Sequence, residues 1–296
     1  MSSQNTQTFP LGRIVVDAYM SLYHHFGYAV RICWAWVLIM TSARIAADLL
    51  KNHVLVDAAG APMLGFDLTF FIGWFLFVPV ASIAVAWHRL LLFGARERSA
   101  IYLRLDRLVW SYFGLAVALY VISLLPVFFV RGMGELIPLI WGLPEASGLD
   151  GAAPPGTLLS PTPTSIVPGM QVVAFLVFLA LSARLSVILP GKALALQGMS
   201  IRRAWMVTRG HTWSLMMGFI SCVVPFLLLT ALLRRSGFDF SLEDGALLHI
   251  VDWLAIESMG AMLGLIELAY LTLCFRFFFP QSNERLSNDR SDGAEV

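Results

Sequence analysis

Apolar residues recur along this chain in two rhythms. Between residues 11 and 26 they return at the spacing of one helix face, with Leu11, Ile14, Val15, Ala18, Tyr19, Leu22 and Phe26 on one side and Arg13, Asp17, Ser21 and His24 elsewhere. Pro10 suits the first turn of such a helix. That pattern predicts an amphipathic helix lying along a membrane surface. Further on the alternation gives way to unbroken apolar stretches. The hydrocarbon core of a bilayer is about 30 Å thick and takes about 20 helical residues at about 1.5 Å each. Windows at 28–47, 68–91, 108–130, 170–190, 212–233 and 254–279 reach that length, so six transmembrane helices are expected. Arg31 and Arg44 fall in the first window, but near its ends, where long side chains reach the headgroups.

The polar residues between these windows alternate in charge. Arg13 precedes the first; Arg96, Arg98, Arg104 and Arg107 separate the second from the third; Lys192, Arg202, Arg203 and Arg209 separate the fourth from the fifth. The other connections are poor in cations, with Lys51 among Asp48, Asp57 and Asp67, then Arg131, then Arg234 and Arg235 among Asp239, Glu243 and Asp244. The positive-inside rule therefore puts both termini in the cytoplasm, as an even number of spans requires. The Pro-, Gly-, Ser- and Thr-rich stretch 143–169 reads as a mobile external loop. Residues 1–280 form one membrane domain in this reading, and 281–296, polar and charged, a disordered cytoplasmic tail.

Composition agrees, since 58% of the residues are hydrophobic and 13% charged, against roughly 45–50% and about 25% in soluble domains. A net charge of +1, with basic residues spread over short loops, gives no reason to expect nucleic acid. Cys33, Cys222 and Cys274 lie in apolar stretches without metal or redox spacing and read as packing residues. Nothing from Met1 to Phe26 reads as a cleaved signal peptide, so insertion is expected to rely on the first span. His24 and His25 are adjacent, splay apart on a helix, and have no acidic or thiol ligand at metal spacing. No Ser-His-Asp order, Gly-rich phosphate loop or HExxH pattern occurs, so neither a conventional enzyme nor a cofactor is expected.

Short helices like the first are expected before the third and fifth windows. Ser99 is placed to cap one carrying Ile101, Tyr102 and Leu105 against Arg98, Arg104 and Arg107. Ser200 is placed to cap another, with Ile201, Ala204, Trp205 and Thr208 on one side, Arg202 and Arg209 on another and Gly210 at its end. Each would introduce a hairpin of two spans. The second helix of each hairpin carries an arginine, Arg89, Arg184 or Arg276, spaced 95 and 92 residues apart, and Pro126 and Pro225 sit in the first helices of the later two. Two readings stand: a threefold repeat of interfacial helix plus hairpin, or features that recur in any six-span protein.

An ionised group at mid-membrane costs about 2.5–3.5 kcal/mol on insertion scales, so Arg184 and Glu267, both near 20 Å from the outer ends of their windows, need partners or water. They form either a proton or substrate site or a structural ion pair. Glu257, Gly260, Gly264 and Glu267 share an arc of about 80° on one helix, a polar face expected to point into the bundle, with the glycine pair allowing close helix approach. That face is either packing around satisfied carboxyls or the wall of a cavity. His88, beside Trp87 and Arg89, reads as an interfacial anchor. Arg89, Arg202, Arg203 and Arg209 are the candidates for headgroup contact.

Residues 183–216 read ARLSVILPGKALALQGMSIRRAWMVTRGHTWSLM. This segment resembles the most recognisable part of a broad group of uncharacterised bacterial six-helix inner-membrane proteins, in which R-x-S-x-x-L-P is followed by S-x-x-E-A-W-x-x-T-R-G. The group is similar to the membrane domain fused to some glycerophosphodiester phosphodiesterases. The match falls on Arg184, Ser186, Leu189, Pro190, Ser200, Ala204, Trp205, Thr208, Arg209 and Gly210. It departs at Arg203, where the pattern has Glu, which removes half of a capping box and adds positive charge. The resemblance covers 34 of the 296 residues and implies an all-helical bundle in the bacterial inner membrane. No residues here correspond to a soluble phosphodiesterase domain, so that chemistry is not carried over. The function expected is that of a non-enzymatic membrane protein that associates with lipid or with another membrane protein. The alternative is a transporter for a small amphiphile or ion, using Glu267 and Arg184.

Overall fold

A computed structural model describes residues 8–53, 68–94, 104–141, 166–196, 199–235 and 246–280. The expected helix after Ser99, most of the Pro-rich loop and the tail 281–296 lie outside these residues. Those described are helical, without a strand among them: α1 (Leu11–His24), α2 (Phe26–His53), α3 (Leu68–Phe93), α4 (Arg107–Trp141), α5 (Ile166–Leu185), α6 (Leu189–Ala193), α7 (Ile201–Val207), α8 (Thr212–Arg235) and α9 (Ala246–Phe278). A 3-10 turn, Ser186–Ile188, joins α5 to α6.

Among the described residues five stretches are long and apolar enough to cross a bilayer: Phe26–Ala46, Arg107–Val130, Gly169–Ala193, Thr212–Leu232 and Ile250–Phe278. The window at 68–91 falls on α3, whose apolar stretch Phe77–Phe93 is shorter. Large apolar side chains stand on the outside of these helices, Phe129 at 68% and Leu232 at 64% exposure among them. That surface is unsuited to water and suited to acyl chains.

The long helix α9 is the hub, packing against α1, α2, α3 and α8, while α4 pairs with α5. One cluster joins α1, α5, α8 and α9 around Leu215, Ile266, Tyr270 and Phe275; a second joins α2, α3 and α9 around Ile32, Trp87 and Leu265; a third joins α3, α4, α6 and α7 around Val85, Val109 and Ala204. The cysteines are free and buried within these layers.

Close helix approach occurs elsewhere than expected. A Cβ on Gly260 or Gly264 would meet nothing within 4 Å among the described residues, so this pair makes no tight crossing. At Gly218 a Cβ would lie 2.6 Å from the Tyr270 ring and would overlap its hydroxyl. The missing side chain lets Tyr270 cross from α9 and donate to the Leu215 carbonyl at 2.9 Å. Gly191 likewise leaves room for Phe275, whose ring would be 2.9 Å from a Cβ there.

Three sequence features shape individual helices. In α8, Pro225 has no N–H for the Ser221 carbonyl one turn earlier. The Tyr19 hydroxyl of α1 lies 3.5 Å from that oxygen and donates to the Cys222 carbonyl at 3.0 Å, tying α1 to the proline turn. Asp106 caps α4, accepting from the Val109 N–H at 3.0 Å and pairing with Arg104. Burial opposes its charge, but these donors outweigh that and hold the carboxyl below its ordinary value of 3.8. Ser200 caps α7 by accepting from the Arg203 N–H at 3.2 Å, and Gly210, at φ +88°, turns the chain into α8.

Candidate functional site

The two charged residues expected to meet in mid-membrane face different ways. Arg184, at the end of α5, is 8% exposed and turns toward α7. Its guanidinium stacks on the Trp205 ring at 3.5 Å, donates from Nη2 to the Trp205 carbonyl at 2.6 Å and from Nε to the Thr208 hydroxyl at 3.1 Å. The Thr208 hydroxyl in turn donates a hydrogen bond to the Ala204 carbonyl at 2.8 Å. A cation held by a π face, a carbonyl and a hydroxyl needs no carboxylate, and among the described residues Arg184 has no ion pair with Glu267. Its effect is to fix α7 against the end of α5.

What α7 then presents is a mixed surface. Ala204 and Thr208 are buried, whereas Ile201, Trp205 and Met206 are exposed together with Arg202, Arg203 and Arg209. Arg203, the residue that departs from the resemblance, lies 5.6 Å over the Phe279 ring just beyond α9. Arg89 is partly buried and Arg276 exposed, so the three arginines at repeat spacing occupy three different environments.

Glu257 and Glu267, expected on one face, are separated by function. Glu257 accepts from Arg44 Nε of α2 at 2.5 Å, and that guanidinium also sits 5.5 Å over Trp253. This pair closes the outer part of the α2–α9 contact. Arg44 is therefore engaged with protein as well as positioned to reach headgroups.

Glu267 lines a cavity of about 350 Å³ between α3, α4, α5, α6, α8 and α9. Among the described residues it makes no hydrogen bond or ion pair. The walls are largely apolar, from Ala84, Ala116, Phe178, Leu179 and Phe219, and among the described residues no Lys or Arg contributes to them. Ser123 lines the same space, is 1% exposed, and its hydroxyl has no hydrogen-bond partner among the described residues. Volume and lining match those of small-ligand sites.

Beside the cavity lies a buried polar joint. The reading of His88 as an interfacial anchor is corrected here: its ring is wholly buried, as is Trp87. His88 Nδ1 is 2.7 Å from the Thr272 hydroxyl of α9, and Nε2 is 3.1 Å from the Tyr112 hydroxyl of α4. Thr272 already donates to the Leu268 carbonyl at 2.7 Å, so it accepts from Nδ1–H. Nε2 then accepts from Tyr112, which makes the ring a neutral imidazole linking three helices.

Ser123, Tyr112 and this joint were missed in the sequence. A signal existed: Tyr112, Ala116, Leu119 and Ser123 recur at helical spacing down one side of α4, a small and polar stripe in an otherwise apolar span. Compared with family models, curated proteins and solved structures, the chain matches none.

Proposed function

We propose that this chain is a six-span, non-enzymatic protein of the bacterial inner membrane, with both termini cytoplasmic, that associates with anionic lipid at its cytoplasmic face. The observation that carries the proposal is α7, a short helix pinned by Arg184 that exposes Ile201, Trp205 and Met206 beside Arg202, Arg203 and Arg209. Apolar groups that favour the acyl boundary and cations that favour phosphate stand on one rigid turn. The exposed Val16, Met20 and Tyr23 of α1 extend this surface as an amphipathic interfacial helix. The sixth span is α3, helical over 26 residues and therefore about 39 Å long. Another membrane protein is the other partner such a surface suits.

Each cation near an anionic surface contributes about 1 kcal/mol. Reversing Arg202, Arg203 and Arg209 together to Glu should therefore weaken retention of phosphatidylglycerol by at least about tenfold, read by lipid exchange in nanodiscs. Unchanged retention in a folded variant would overturn the proposal. The cavity favours a second reading, a transporter for a small amphiphile or ion. In it Glu267 faces the ligand, and Arg184 holds the cytoplasmic end of the route in place.

A further inference from the structure

We infer that the cavity around Glu267 binds a single-chain amphiphile with a cationic, hydrogen-donating head, of which a long-chain primary amine is the simplest case. The inference is independent of the headgroup surface on α7 and holds whether or not the ligand crosses the bilayer. A carboxyl on a membrane helix, unpaired among the described residues and facing open space, sets the sign of what belongs opposite it. Among the described residues no Lys or Arg lines the cavity, and Arg184, which the sequence places at a similar depth, is committed to Trp205 and Thr208. An anionic head would therefore find no counter-charge there, whereas an ammonium would find an acceptor.

The second polar group agrees. The Ser123 hydroxyl is buried without a partner, a state that costs free energy until something bonds it. An ammonium brings three donors, enough to reach Glu267 and still satisfy a hydroxyl acceptor. The rest of the wall suits an alkyl chain. Phe77, Val80 and Tyr120 line the cavity and are also exposed on the outer surface of the bundle, which gives the tail a way in from the acyl region.

The test uses the full chain in phosphatidylcholine nanodiscs with a photoactivatable C16 primary amine and the C16 alcohol carrying the same group. Labelled peptides are mapped by mass spectrometry. The amine should label cavity-lining peptides of α3 and α4 about tenfold more than the alcohol, the gain expected from one charge-assisted hydrogen bond. Glu267→Gln should bring the amine down to the level of the alcohol. Ala116→Phe, which fills the cavity from a different helix, should remove labelling of the lining by both. Equal labelling by amine and alcohol in the unmutated protein would overturn the inference without any variant having to fold. So would amine labelling unchanged by Glu267→Gln, or lining labels that persist in Ala116→Phe. A failure here leaves the α7 proposal standing, because phosphatidylglycerol retention is read separately.

Discussion

At the scale of single residues, the polar groups of this bundle act by position more than by charge. Arg184 is satisfied without a carboxylate, Glu257 by an arginine from another helix, and His88 as a neutral bridge. His88→Phe keeps an aromatic ring of similar bulk but removes both hydrogen bonds, leaving the Tyr112 hydroxyl buried without its acceptor. It should cost about 1–3 kcal/mol, measured by denaturation in mild detergent against wild type. A loss indistinguishable from zero would mean that the joint carries no stability. The histidine's role was illegible in sequence because Trp87 and Arg89 imitate an interfacial neighbourhood, while its partners stand 24 and 184 residues away. Glu267 was legible, since a carboxyl in an apolar span announces itself. The environment of Arg184 was half legible, because the resemblance named Trp205 and Thr208 but nothing in it joined them to the arginine.

Among elements, caps and breaks were readable where the rule is local. Ser200 and Gly210 bound α7 as their residue types dictate. Asp106 was passed over as a cap because the cations around it drew attention to Arg104 and Arg107 instead. Its carboxylate caps the N-terminus of α4, where a negative charge also favours the helix dipole. Asp106→Ala should lower stability by about 1 kcal/mol at neutral pH. The sign of the pH effect follows from the carboxyl lying below its ordinary 3.8. The charged cap's contribution is present above that pH and is lost as pH falls through the folded-state value. Thermal melts should show wild type and Asp106→Ala converging under strong acid, and a gap that widens there would refute the assignment. Contacts between elements were harder to read. The glycines with helical spacing, Gly260 and Gly264, face open space, while isolated Gly218 and Gly191 take the close crossings, because spacing reports a face but not what lies opposite it.

For the whole molecule, bilayer thickness made the apolar stretches readable, since it sets a length that any spanning helix must meet. Five of the six windows coincide closely with helices of that length and apolarity, and the other falls on α3. The cavity was not readable, because its described lining comes from six helices drawn from across the sequence. What joins the fold to the proposed role is the end of the bundle where α1 packs on α8 and α9 and where Val207 of α7 packs against the same cluster. The most direct test is native mass spectrometry of the protein released from nanodiscs holding equal phosphatidylglycerol and phosphatidylcholine. Selective retention of phosphatidylglycerol at a defined stoichiometry is the predicted result. A protein that leaves the bilayer bare, or that carries both lipids without preference, would contradict association with anionic lipid.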